Sequence, residues 1–125
     1  MTLYAALLYY PADRDPMSSD EPRVSPDYRE FGEAATAAGV LRGGEALHPA
    51  TTATTITVAD GKGGDVMVTD GPYAEAKETL GGFYLIEAAD LDEATRWAAR
   101  IPAAWHGKVE LRPVVAVPKP WVTGG

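Results

Sequence analysis

Cysteine is absent from the 125-residue chain. That excludes disulfides, thiolate zinc sites and cysteine nucleophiles together, and it suits a reducing, cytoplasmic compartment. Basic charge is scarce as well: 11 Lys and Arg stand against 18 Asp and Glu, a net charge of −7. A chain of this sign repels phosphate backbones and anionic lipid, and no basic run is interleaved with aromatics, so neither nucleic acid nor a membrane is an expected partner. No long apolar run occurs. The N-terminal "MTLYAALLYYPADRD" has no basic segment ahead of its apolar stretch, which stops at Pro11. It reads as a first strand, not as a signal peptide or a membrane span. Gly-x-Ser-x-Gly is missing. The glycines at 43–44, 61, 63–64 and 81–82 never form Gly-x-Gly-x-x-Gly, so no nucleotide cradle and no cofactor is expected.

What is present is a globular composition, 46% apolar, in a length that buries a core without staples. "TLYAALLYY" (2–10) is apolar on both faces, as a central strand buried from two sides should be. A long polar loop rich in Pro, Asp and Ser follows. Ser25 and Pro26 then open a helix as cap and first residue. Tyr28, Phe31, Ala35 and Ala38 make its inward face, and Gly39 stops it. "VLRGGEAL" is a short extended piece broken by Gly43 and Gly44. Two β-branched runs, 52–58 and 65–69, flank "ADGKGG" and predict a hairpin.

"GGFYLIEAA" is a further strand, with Phe83, Leu85 and Glu87 on one face and Tyr84 and Ile86 on the other. Asp90 and Glu93 form a capping box for a second helix. Leu91, Ala94, Ala98 and Ile101 are its inward stripe, and Pro102 closes it. "KVELRPVVAV" (108–117) is the last strand, so residues 1–117 form one domain and 118–125 a tail. Strand–helix–strand, hairpin, strand–helix–strand predicts an α+β, ferredoxin-like split βαβ sandwich with an added hairpin. Both helices fall on one face of its sheet. The other face also carries apolar residues, and a second copy packed sheet to sheet would cover it. A homodimer with a dimeric α+β barrel arrangement is therefore expected.

The candidate chemistry gathers in "TDGPYAEAKETLGG" (69–82). Asp70 ends a strand just before Gly71-Pro72, where pockets form at a sheet end. As an Asx-turn residue its carboxylate would bond nearby backbone N–H groups; as an acid–base group it would serve a ligand. Pro72 could equally begin a short helix through "AEAKETL", stopped by Gly81. Glu75 and Lys77 project on one side if extended and diverge if helical. Lys77 then holds an anionic ligand or stands in solvent. The two histidines, His48 in "EALHPATT" and His106 in "AAWHGKVE", have no ligand-like spacing, and no metal site is expected. Trp97 and Trp105 flank the end of the second helix, as an aromatic box or as packing residues.

Residues 69–114, "TDGPYAEAKETLGGFYLIEAADLDEATRWAARIPAAWHGKVELRPV", resemble the DGPF-type proteins of the YCII-related superfamily. The motif is Asp70-Gly71-Pro72 with an aromatic next, Glu75, Lys77, Gly81-Gly82-Phe83, then "DLDEA" and "VELRP". A weaker likeness runs back through "GGEALHPATTATTI" to the first strand. Tyr73 stands where the name-giving motif has Phe. The resemblance implies a ferredoxin-like fold and a dimeric α+β barrel. Some members of the superfamily carry a His–Asp pair with the His on the first helix, but "SPDYREFGEAATAAG" contains no histidine, so that dyad does not carry over whole. Relatives of this type are often encoded beside, or fused to, sigma factors of the extracytoplasmic-function class.

Two functions follow as expectations. One is a small-molecule or proton-transfer site around the DGPY segment, with Asp70 and His48 as acid–base groups and Tyr73, Glu75 and Lys77 as ligand-binding groups. The other is a non-catalytic interaction or sensor module whose acidic surface meets a transcription-regulator partner.

Overall fold

The structure is a computed structural model that describes residues 1–13, 25–73 and 76–121. In chain order the elements are β1 (Thr2–Pro11), α1 (Pro26–Ala37), β2 (Leu41–Ala46), a 3-10 turn (Ala50–Thr52), β3 (Thr54–Val58), β4 (Val66–Asp70), β5 (Glu78–Ala88), α2 (Leu91–Ala98), α3 (Ala103–His106) and β6 (Lys108–Pro113). Four strands form one antiparallel sheet in the order β2-β5-β1-β6. β3 and β4 pair separately as a two-stranded ribbon. With the helices on one side, this is the ferredoxin-like α+β arrangement, in which the second split unit inserts its first strand between those of the first.

Local chemistry sets the helix ends. Ser25 accepts the Tyr28 N–H at 3.4 Å, and Pro26 occupies the first turn. At the other end Gly39 takes φ +74°, and Val40 N–H returns to Ala35 O at 3.1 Å. Asp90 accepts the Glu93 N–H at 2.9 Å, while Glu93 accepts the Ala89 N–H at 3.0 Å. Ala38 and Leu91 depart from the expected inward faces. Ala38 is the exposed C-terminal cap of α1, and Leu91, the first residue after its cap, is 56% exposed. Pro102 does not simply close a helix; it caps α3. The last strand ends four residues early because its ladder with β1 stops at Tyr4–Pro113. The Val114 N–H to Leu3 O bond extends it by one step beyond that pair.

The core lies between sheet and helices. From β1 it takes Tyr4, Ala6, Leu8 and Tyr10, from α1 Phe31 and Ala35, from β5 Ile86 and Ala88. Phe31 is its hub, with ring centroids 4.9 Å from Tyr84 and 6.4 Å from Trp97. The alternate β1 residues Leu3, Ala5, Leu7 and Tyr9 are half-buried on the open face. In a single chain, then, β1 is buried from one side only.

The β3–β4 ribbon is more exposed still. The register Ile56–Val68 and Val58–Val66 puts these four residues on one face. Their exposures run from 41% to 65%. A two-stranded ribbon with an uncovered apolar face is marginal in water.

Candidate functional site

β4 delivers Asp70 to the ribbon's open end, opposite Thr54. The chain then turns at Gly71, whose φ of +98° favours glycine. Gly71 N–H donates to Ala53 O at 2.7 Å, and the Thr55 hydroxyl donates to Gly71 O at 2.9 Å. Among the described residues the Asp70 carboxylate joins no hydrogen bond, so the turn is held by backbone and Thr55. Tyr73 is 89% exposed. Glu75 lies outside the described residues. Lys77 is exposed, and its carbonyl accepts the Ala12 N–H at 2.7 Å, tying the segment to the end of β1.

His48, also exposed, follows Leu47, whose N–H donates to Gly81 O at 2.9 Å. His48 and Lys77 thus belong to connections at one end of the sheet. Among the described residues, no hydrogen bond or ion pair links the side chains of His48, Asp70, Tyr73 and Lys77.

From Glu78 onward the chain is strand, not the alternative short helix through "AEAKETL". The register then matters. Leu8 faces Gly82 but Tyr9 faces Leu80, so Gly81 is an extra residue, a β-bulge. Because side chains alternate with period two, one extra residue moves everything before it to the other face. Glu78 and Leu80 thereby join Phe83, Leu85 and Glu87 on the open side of the sheet, opposite Pro11 and Tyr9. Without the bulge Glu78 would face the helices.

On that open face Glu78 Oε1 pairs with Lys108 Nζ, which β6 brings beside Tyr9. Glu78 Oε2 is buried and, among the described residues, has no hydrogen-bond partner. Tyr9, Val109 and Glu110 complete a shallow depression around the pair. A buried carboxylate oxygen left unpaired costs free energy and needs an explanation. Sequence reasoning missed Glu78 and Lys108. The signal for Glu78 was its place at the end of the charged segment, obscured because only the bulge decides which face it takes.

Farther along the same face Arg42 Nη2 donates to Glu87 Oε1 at 3.0 Å. That hydrogen bond, and then the guanidinium charge, holds the Glu87 carboxyl below the usual carboxylate range; the reciprocal effect raises Arg42. The two histidines leave the sheet at opposite edges, His48 after β2 and His106 before β6. Three strand spacings, about 14 Å, separate those edges. Trp97 packs on Phe31, while the Trp105 indole N–H donates to Ala99 O at 2.8 Å at the end of α2.

The family model for the YCII-related domain matches residues 2–121. An uncharacterized protein of Rhizobium meliloti (strain 1021) is 38% identical over 118 residues, covering 90% of this chain and 91% of that protein.

Proposed function

The chain belongs to the YCII-related domain family, and from that premise we propose that it is a small-molecule-binding, proton-transfer domain. Its site is the Glu78–Lys108 pair with the Asp70–Lys77 segment that leads into it. The observation that carries this reading is the buried Glu78 oxygen with no hydrogen-bond partner among the described residues, beside a cation and at the end of the DGPY segment. A carboxylate so placed is a general base for a carbon acid, and the neighbouring ammonium stabilises oxygen charge as it develops.

The reaction class is enolisation of a small carbonyl compound. Glu78 Oε2 takes the proton as the C–H bond breaks. The electron pair moves to the carbonyl oxygen near Lys108, and the proton returns to the same or an adjacent carbon. Asp70, Tyr73, Lys77 and His48 orient the ligand from the surrounding connections. Deuterium wash-in from D2O to the methyl groups of pyruvate and acetone, followed by proton NMR, tests this. The protein should accelerate exchange and Glu78→Gln should abolish the acceleration. Equal rates with and without protein, or an undiminished Glu78→Gln variant, would sink the reading.

The same reading has the protein act as a homodimer. The open sheet face holds Leu3, Leu7, Phe83 and Leu85, and the ribbon adds Ile56, Val58, Val66 and Val68. A second copy covering these surfaces would enclose the depression at Glu78 and exclude water from it, which strengthens the electrostatics a proton transfer needs.

A further inference from the structure

A second cavity lies on the other side of the sheet, beneath the start of α1. It exists because three helix-facing positions at the β2–β5 corner have almost no side chain: Gly44 opposite Tyr84, Ala46 opposite Gly82, and Gly82 itself opposite Leu8. Sterics hold two of them to glycine. A Cβ at Gly44 would come 2.7 Å from both Phe83 O and Tyr84 Cδ1, and one at Gly82 would come 2.8 Å from Glu45 O. The space left has a volume of ≈ 170 Å³ and is walled by Leu8, Tyr28 and Tyr84 with backbone of the glycine corner. Tyr28, from the first turn of α1, shares a hydrogen bond between hydroxyls with the buried Tyr10.

Its chemistry is specific in what it can accept. Among the described residues no Lys or Arg lines it. Among the described residues the one carboxylate on its border, Glu45, pairs with Phe83 and so directs its side chain to the opposite face of the sheet. An anion would therefore meet no counter-charge among the described residues, and a neutral ligand avoids the cost of partly desolvating a charge. Burial, and then the proximity of Tyr10, pushes the Tyr84 phenol up from its ordinary value, so its ring stays neutral. For size, an apolar cavity of about 150 Å³ accommodates a benzene ring.

We propose that this cavity binds an uncharged single-ring compound bearing one hydroxyl or carbonyl oxygen. The ring lies against Leu8, Tyr28 and Tyr84, and the oxygen joins the Tyr28–Tyr10 hydroxyl pair. This site is independent of Glu78, which faces the other side of the sheet.

Phenol is the probe, benzoate its charged control of similar size, and amide chemical shifts of the full chain are the readout. Phenol should perturb Tyr28, Ala46, Gly82 and Tyr84 with a Kd of about 1 mM, the range for a ligand of this few atoms. Benzoate at the same concentrations should leave them unmoved. Ala46→Leu, at an exposed position of an edge strand, fills the space and should weaken phenol binding about ten-fold or more. If that variant does not fold, Tyr28→Trp closes the same space from the helix and should weaken it likewise. The proposal is overturned by absence of a phenol response, by a benzoate response as large as that to phenol, or by phenol binding that survives the filling variant.

Discussion

Val68→Asp is the sharpest probe of self-association. Val68 pairs with Ile56 at the centre of the ribbon's apolar face, and both are about two-thirds uncovered in the single chain, at 62% and 65%. In an isolated chain the substitution should matter little, because an exposed strand position is worth up to about 1 kcal/mol. In a dimer that covers the face, the outcome changes. Ile56, Val58, Val66 and Val68 together leave roughly 350 Å² exposed, worth about 9 kcal/mol per protomer at 25 cal/mol per Å² if wholly buried. Losing Val68 alone forfeits about 2 kcal/mol in each of two protomers, and the new carboxylate adds its own desolvation. The dimer dissociation constant should therefore rise by about a thousand-fold or more. Light scattering coupled to size exclusion, at micromolar protein, should give a dimer for the parent chain and a monomer for the variant. A folded variant that keeps the parent's dimer mass, or a parent that is monomeric, refutes the reasoning.

Two further outcomes follow from the site geometry. Asp70→Asn should leave unfolding in urea unchanged within about 0.5 kcal/mol, since among the described residues no hydrogen bond to this carboxylate holds the turn; a loss above about 1 kcal/mol would restore the Asx-turn reading. The Tyr84 phenol is raised above its ordinary 10.0 by burial and then by Tyr10, so the folded chain keeps this proton where the unfolded chain loses it. Its contribution is complete below pH about 10 and fades as pH climbs through the folded-state value. Urea midpoints should consequently fall more steeply between pH 9 and pH 11 in the parent than in Tyr84→Phe, and parallel curves would contradict this; the window follows from the ordinary phenol pKa of about 10.

Elements with local causes were legible along the chain. Ser25, Pro26 and Gly39 delimit α1 through hydrogen bonds within a turn or two of themselves, as Asp90 and Glu93 do for the start of α2. The β-branched runs around "ADGKGG" announced the ribbon, because alternation and a turn are properties of consecutive residues. The order of these elements was enough for the α+β ferredoxin-like arrangement. The position of the DGPY segment was legible too: Asp70 ends β4 and the chain turns at Gly71, as the Gly-Pro pair implied.

Tertiary structure alone decided which groups meet. Glu78 reaches Lys108 only because Gly81 bulges against β1 and reverses the facing of every β5 residue before it, and a bulge depends on the partner strand's register. Lys108 comes to Glu78 from thirty residues away through pairing with Tyr9. Gly44 and Gly82 read as breaks or turn residues in one dimension. Against each other's strands they are places where a Cβ has no room, and beneath α1 they become a cavity. Caps and alternation act over a few residues and so are written in the sequence itself. Register, facing and the space between elements are relations between distant segments, and they come into being only when the sheet is assembled.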